Sequence, residues 1–315
     1  MSQELLVTGS SGFLGRQLCT QLVSRQYLVR ALLRGQSVNN VPGCQNITTE
    51  GIESWHDCSA ALQGVRAVIH LAARVHVMHD AATNPLEEFR KVNVHGTLHL
   101  ARQAAAAGVK RFVFISTAKV NGESTALGAS FTENDIANPQ DPYALSKYEA
   151  EQGLQQIASD TGMEVVTIRP PLVYGPCVKA NFAALMRAVQ RGWPLPLGAV
   201  HNQRSLVGLD NLVDFIVHCI THPAAANQTV LVSDGQDVST TELLRCMAKA
   251  AGVPSRLLPI PVPLLRAAGK IMGKTNQIDR LCGNLQLDIS KAQAVLGWAP
   301  PVMLQEGLRR AFINR

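Results

Sequence analysis

Thr8-Gly9-Ser10-Ser11-Gly12-Phe13-Leu14-Gly15 places glycines at positions 9, 12 and 15. The short apolar run Leu5-Leu6-Val7 precedes this stretch, and Phe13 to Ser24 carries the apolar spacing of a helix. Strand, glycine turn and helix in that order form a cradle for a dinucleotide pyrophosphate. Gly9 permits a tight turn, Gly12 lets the backbone approach the phosphates, and Gly15 lets the helix pack close to the sheet. The helix N-terminus then presents free N–H groups and positive potential to the anion.

Working outward, continuous apolar runs recur at Leu28–Leu33, Val65–Ala73, Phe112–Ser116 and Val165–Ile168. Helical patterns lie between them, at Trp55–Leu62, Leu86–Ala107 behind Pro85, and Pro142–Ser159. Such alternation predicts an α/β fold, a doubly wound parallel sheet buried on both faces. After Arg169 the prolines crowd together and the elements shorten. We therefore expect a dinucleotide-binding domain over 1–174. A smaller α/β substrate region over 175–315 would lie across the C-terminal edge of the sheet, re-entering it around 204–234.

The 315 residues suffice for two such cores, and 46% apolar with 17% charged residues is a globular composition. A net charge of +6 without a basic block excludes a nucleic-acid or membrane tail, and no basic stripe interleaves with aromatics. The seven cysteines are scattered without a CxxC pair, which points to reduced thiols and the cytoplasm. The N-terminal run lacks the basic flank of a signal peptide. Leu257–Met272 is apolar but broken by Pro259, Pro261, Pro263, Arg266 and Lys270. It reads as a loop and a short helix, with an interfacial membrane segment as the alternative to be weighed and no stable insertion expected.

The second apolar run ends Leu32-Leu33-Arg34, where a carboxylate would meet a free ribose 2′-hydroxyl. Arg34, with Arg16 after the last glycine, could instead grip a 2′-phosphate, which favours NADP over NAD. Tyr143 and Lys147 stand four apart, on one face of a helix. A phenol of pKa about 10 is a poor base at neutral pH, and a neighbouring ammonium favours its ionised form. The pair can then move a hydroxyl proton while hydride moves at the same carbon. Thr117 could hydrogen-bond the reacting oxygen, whereas strand alternation turns Ser116 away.

With these residues in place, the chain resembles the extended short-chain dehydrogenase/reductase superfamily, in its NAD-dependent epimerase/dehydratase group. The carriers are residues 8–15, HLAA (70–73), VNVHGT (92–97), ISTAKVNGE (115–123), DPYALSK (141–147), RPPLVYGP (169–176) and RSLVGLDNLVD (204–214). The resemblance implies Thr117, Tyr143 and Lys147 as the catalytic trio, with Asn93 orienting the lysine. It implies a cofactor site of Gly9, Gly12, Phe13, Leu14, Gly15, Arg16, Arg34, Leu71, Ala72, Ala73, Asn93, Pro170 and Val173, together with Tyr143 and Lys147. It also implies a UDP-sugar substrate near Lys119, Asn181, Arg204 and Arg280, and a homodimer.

Three reactions share the scaffold. Dehydratases of the group carry an acid directly after the threonine, where this chain has Ala118. Arg34, and Asn121 in place of the tyrosine usual in epimerases, favour an NAD(P)H-dependent reductase of a UDP-4-keto-6-deoxy-hexosamine. The segments AKVNGE and NFAALM resemble a surface-polysaccharide subgroup that forms UDP-N-acetylquinovosamine. The alternatives are a UDP-sugar 4-epimerase with tightly bound NAD, and a cofactor-binding sensor or assembly factor without turnover. The pairs His76/His79 and His95/His99 lack an accompanying carboxylate motif, so no metal is expected. Glu87-Glu88 suits a helix start, and no GxSxG elbow is present.

Overall fold

A computed structural model describes residues 3–35, 40–75 and 84–313. Its elements, in chain order, are β1 (Glu4–Thr8), α1 (Phe13–Ser24), β2 (Leu28–Arg34), β3 (Gln45–Thr49), α2 (Ser59–Leu62) and β4 (Ala67–His70). There follow α3 (Pro85–Arg90), α4 (Thr97–Ala106), β5 (Arg111–Ile115), α5 (Pro142–Thr161), β6 (Glu164–Arg169) and β7 (Leu172–Tyr174). The chain continues through α6 (Ala180–Gln190), β8 (Leu206–Gly208), α7 (Leu209–Thr221), β9 (Thr229–Leu231), α8 (Thr240–Ala250) and α9 (Val262–Ile271). It ends with α10 (Thr275–Cys282), α11 (Ser290–Leu296) and α12 (Leu304–Ile313).

Seven parallel strands run in the order β3-β2-β1-β4-β5-β6-β9. Side-chain alternation divides the core between the two faces. Leu5, Val7, Ile69 and Val113 point to α1 and α7, joining Leu18, Leu22, Phe215 and Ile216. Leu6, Val68, Phe112 and Phe114 point the other way, onto Leu100, Ala104, Leu154 and Ile157 of α4 and α5. The order reverses between β1 and β4, and a crevice opens beyond the carboxyl ends of the strands at such a point.

A third core gathers Phe182, Met186, Leu244, Met247 and Leu308 around Tyr174. The Tyr174 hydroxyl donates to Asp234 Oδ2 at 2.7 Å, and Asp234 Oδ1 accepts from Gly208 N at 2.8 Å and Asn211 Nδ2 at 2.7 Å. This buried knot binds the ends of the β7–β8 pair to α7 and to the segment that follows β9.

The structure corrects two expected helices. Trp55–Leu62 is helical only from Ser59, after a 3₁₀ turn at Ile52–Ser54. Leu86–Ala107 is interrupted by a π-helical turn, Lys91–Gly96, which rotates Asn93 and Val94 inward. Periodicity could not register that extra residue per turn. The polar β3 (QNITT) carries no apolar signal and was legible only through its pairing with β2.

The glycine turn is set by close approach. Gly9 has φ +67°, and a Cβ there would lie 2.8 Å from Ala72 N. A Cβ on Gly15 would lie 2.2 Å from Gly9 O, against backbone that cannot yield. A Cβ on Gly12 would meet only Gly9 O, at 3.1 Å. Gly15→Ala should therefore lower the unfolding free energy by about 1–3 kcal/mol in urea titrations, and Gly12→Ala by much less. Equal stability of the two variants would contradict this packing.

Candidate active site

The crevice floor is built from strand ends. The Thr8 hydroxyl accepts from Ala72 N at 3.1 Å and lies 2.8 Å from His70 Nδ1, while His70 Nε2 lies 2.9 Å from the Thr97 hydroxyl. His70 stacks on Phe114 and is fully buried. Burial, and secondarily Lys147, lower its pKa to about 3, so it serves as a neutral tie between β1, β4 and α4. This tie holds Leu71 and Ala72 against the Gly9 turn. The glycine cradle, the start of α1 and the 71–73 segment thus fit a dinucleotide pyrophosphate.

α5 starts sharply. Asp141 accepts from Ala144 N at 2.7 Å as its N-cap, Pro142 occupies the first turn, and Gly162 at φ +72° ends it. Tyr143, Lys147 and Glu151 follow at successive i+4 positions along one face. Lys147 is 2% exposed; its Nζ donates to Ile115 O at 2.7 Å and lies 4.3 Å from the centre of the Phe114 ring. Burial lowers its pKa to about 7, opposed by the Glu151 carboxylate. Burial, then Asp141, push Tyr143 above the ordinary phenol value. In the chain alone, desolvation therefore favours the neutral phenol and weakens the ammonium.

Beneath the pair lies a network that the sequence did not reveal. Glu151, 2% exposed, accepts from Arg169 Nε at 3.0 Å and Nη2 at 2.5 Å, and also from the Ser116 hydroxyl. Arg169 Nη1 donates to Asn121 Oδ1 at 3.0 Å. Ala118 N donates to Pro170 O at 2.9 Å, so the turn carrying Thr117 is tied to the end of β6. Thr117 is extended, and its hydroxyl accepts from Lys119 N at 3.3 Å. Ser116, as alternation required, faces away from it into the network.

The remaining expected residues fall as follows. Asn93 is fully buried and binds Ser146 Oγ at 2.9 Å, Arg74 O at 3.0 Å and Arg74 N at 2.8 Å. It fixes the helix beside Lys147, and the lysine itself is held by Ile115. Phe13 and Leu14 begin α1, partly buried against the core. Arg16 Nε turns back to Ser11 O at 3.0 Å, and Arg34 is exposed at the end of β2. Pro170 is buried and Val173 partly so, in β7. Asn181 is exposed in the first turn of α6. Lys119 forms ion pairs with Glu123 at 2.7 Å and Asp141 at 2.6 Å. Arg280 stands 3.8 Å from Glu123, and Arg204 Nη1 donates to the carbonyls of Arg280 at 2.7 Å and Gly283 at 3.0 Å. The charged residues assigned to substrate thus form one chain of contacts from α10 to the cap of α5. His99 contacts the His56 carbonyl, and His76 and His79 lie outside the described residues.

Two stability effects follow. Glu151→Ala leaves Arg169 buried without its carboxylate and should cost about 3–5 kcal/mol in chemical unfolding; a loss below about 1 kcal/mol would remove the pair from the core's support. Lys147 binds a proton less readily folded than unfolded, so its burial penalty is full below pH about 7 and fades as pH rises towards the ordinary lysine value of 10.5. Lys147→Met should therefore raise the melting temperature of the cofactor-free protein at pH about 6 and lose that advantage at pH about 10. A gain that grows with pH would reverse this assignment.

Residues 5–233 match the NAD dependent epimerase/dehydratase family. The chain is 49% identical over 312 residues to a UDP-glucose 4-epimerase of Vibrio cholerae, covering 98% of this chain and 94% of that protein. Among solved structures, the UDP-glucose 4-epimerase of Thermotoga maritima with UDP-glucose superimposes with a TM-score of 0.78 at 25% identity, covering 99% of this chain and 98% of the other. The UDP-glucuronic acid 4-epimerase of Bacillus cereus with NAD gives 0.79 at 22% identity, covering 99% and 96%, a likeness of fold. With its glycine cradle, its Tyr143/Lys147 helix and these relatives, the chain belongs to the NAD-dependent epimerase/dehydratase family of enzymes.

Proposed function

We propose that this protein is a UDP-hexose 4-epimerase that retains its dinucleotide through turnover. The observation that carries the reading is the 49% identity, over nearly the whole of both chains, to a UDP-glucose 4-epimerase. It moves the balance from the 4-ketoreductase expected from Arg34 and Asn121 to the epimerase alternative. The site favours the same direction. Dehydration needs a further acid and base, yet Ala118 follows Thr117, and the nearby carboxylates of Glu123 and Asp141 are both engaged by Lys119. Tyr143 and Lys147 both stand on one face of α5, which argues against a sensor without chemistry.

The Gly9–Gly15 cradle, Ala72, Ala73 and the Pro170–Val173 segment would hold NAD. When bound, NAD supplies the hydride acceptor for the sugar's C4 and a positive ring whose field favours a phenolate. Tyr143 takes the proton of the C4 hydroxyl and returns it after the sugar has turned its other face. Lys147, held by Ile115 O, places its ammonium on the phenol's own helix face. Thr117 donates to the reacting oxygen. Arg204, Arg280 and Asn181 bind the nucleotide diphosphate, Arg280 exchanging Glu123 for phosphate and Lys119 grading that competition. The scattered cysteines, without a CxxC pair, suit the cytoplasm, and we expect a homodimer.

The purified protein, given UDP-glucose and no added dinucleotide, should form the 4-epimer by NMR, and Tyr143→Phe should slow it about 100- to 10,000-fold. Turnover of a UDP-4-keto-6-deoxy-hexosamine with equimolar consumption of added NADPH, and no epimer, would restore the reductase. Mass spectrometry of the released cofactor should find NAD; NADP would give Arg34 the 2′-phosphate role.

A further inference from the structure

α9 and α10 form a helical hairpin that projects from the substrate region. Its inner seam is narrow: only Leu265 and Gly269 of α9 are buried, and none of α10. A Cβ on Gly269 would lie 2.8 Å from Ile278 Cγ1, so the two helices meet closely there. The outer side of α9 is apolar and open. Leu264, Ala268, Ile271 and Met272 follow at i, i+4, i+7 and i+8, on one stripe. Leu264 is 60% exposed, Ile271 87% and Met272 60%. Leu258 extends the patch on the preceding strand-like segment, whose N–H donates to Leu195 O at 2.8 Å. Trp193, two residues before Leu195, is 54% exposed beneath the Arg191 guanidinium.

The same segment concentrates positive charge. Residues 253–282 contain Arg256, Arg266, Lys270, Lys274 and Arg280 against the single carboxylate of Asp279. Lys270 projects from the side of α9 opposite the apolar stripe, where Arg266 pairs with Asp279 of α10 at 3.0 Å. An open aliphatic stripe with a nearby tryptophan and a cationic opposite face is the amphipathy of a helix that lies in a bilayer interface.

We propose that the α9–α10 hairpin docks on an anionic phospholipid surface, with Leu264, Ile271 and Met272 entering the headgroup boundary. Lys270, on the polar face, and Lys274, just past the end of the helix, attract the anionic headgroups. Docking is peripheral and reversible: no described helix is long and apolar enough to cross a membrane. It is independent of the reaction assigned above.

Flotation of the full-length protein with phosphatidylglycerol-rich vesicles tests this. The protein should float with them at low salt, remain behind with pure phosphatidylcholine vesicles, and be released by added salt. Leu264→Gln with Ile271→Gln should weaken binding about tenfold or more, since each side chain loses its apolar burial. Lys270→Glu with Lys274→Glu should weaken it comparably, and both variants should keep the wild-type melting temperature and turnover of a soluble substrate. Absence of flotation, or undiminished flotation of the glutamine variant, overturns the proposal. So does a sedimentation result in which the glutamine variant dissociates an oligomer while vesicles bind neither form, which would make a second copy the occupant.

Discussion

A lysine amine sunk into the protein interior is the constraint around which the site is arranged. Lys147 is almost wholly buried, yet the proposed chemistry asks it to carry charge beside a phenol. Burial lowers its pKa, to about 7 with the Glu151 charge already opposing. The fold opposes this with the Ile115 carbonyl, the face of Phe114 and the Glu151 carboxylate one helical turn away. Glu151 is itself buried and is held by two bonds from Arg169. Each charge therefore needs the next, and the series ends at Asn121 and Ser116, on the turn that carries Thr117. Packing, electrostatics and the placement of the trio are one problem solved by the same side chains.

The second region completes the site through charge as well. Lys119 draws together Glu123 and Asp141, and Arg280 approaches Glu123 from α10. Asp141 caps the catalytic helix, so a change at the mouth is felt one residue before Pro142-Tyr143. On the proposed reading, a diphosphate between Arg204 and Arg280 would compete with Glu123 for Arg280. The buried Tyr174–Asp234 knot ties the β7–β8 pair to α7 and to the segment after β9.

Much of this was legible in the residues. Glycine spacing at 9, 12 and 15 specifies backbone geometry directly, and the limits of α1 and the parallel sheet followed from continuous apolar runs. Tyr143 and Lys147 were readable because a fixed helical spacing brings them to one face. What escaped were contacts between distant positions. Glu151 and Arg169 are 18 residues apart, and Lys119 and Asp141 are 22 apart, so no periodicity links them. A signal for Glu151 did exist: a carboxylate between Ala150 and Leu154, in line with Tyr143 and Lys147, is a charge on a buried face that must have a partner. The π turn at Lys91–Gly96 was hidden for another reason, since a helical pattern with one inserted residue still reads as a helix.

The central claim is that one proton-transferring pair and one retained dinucleotide invert the sugar within a single site. UDP-glucose deuterated at C4, incubated with the purified protein and no added cofactor, tests it most directly. The account predicts a 4-epimer that keeps the deuterium at C4. Loss of the label to solvent, or a product formed only when reduced dinucleotide is added, would contradict it.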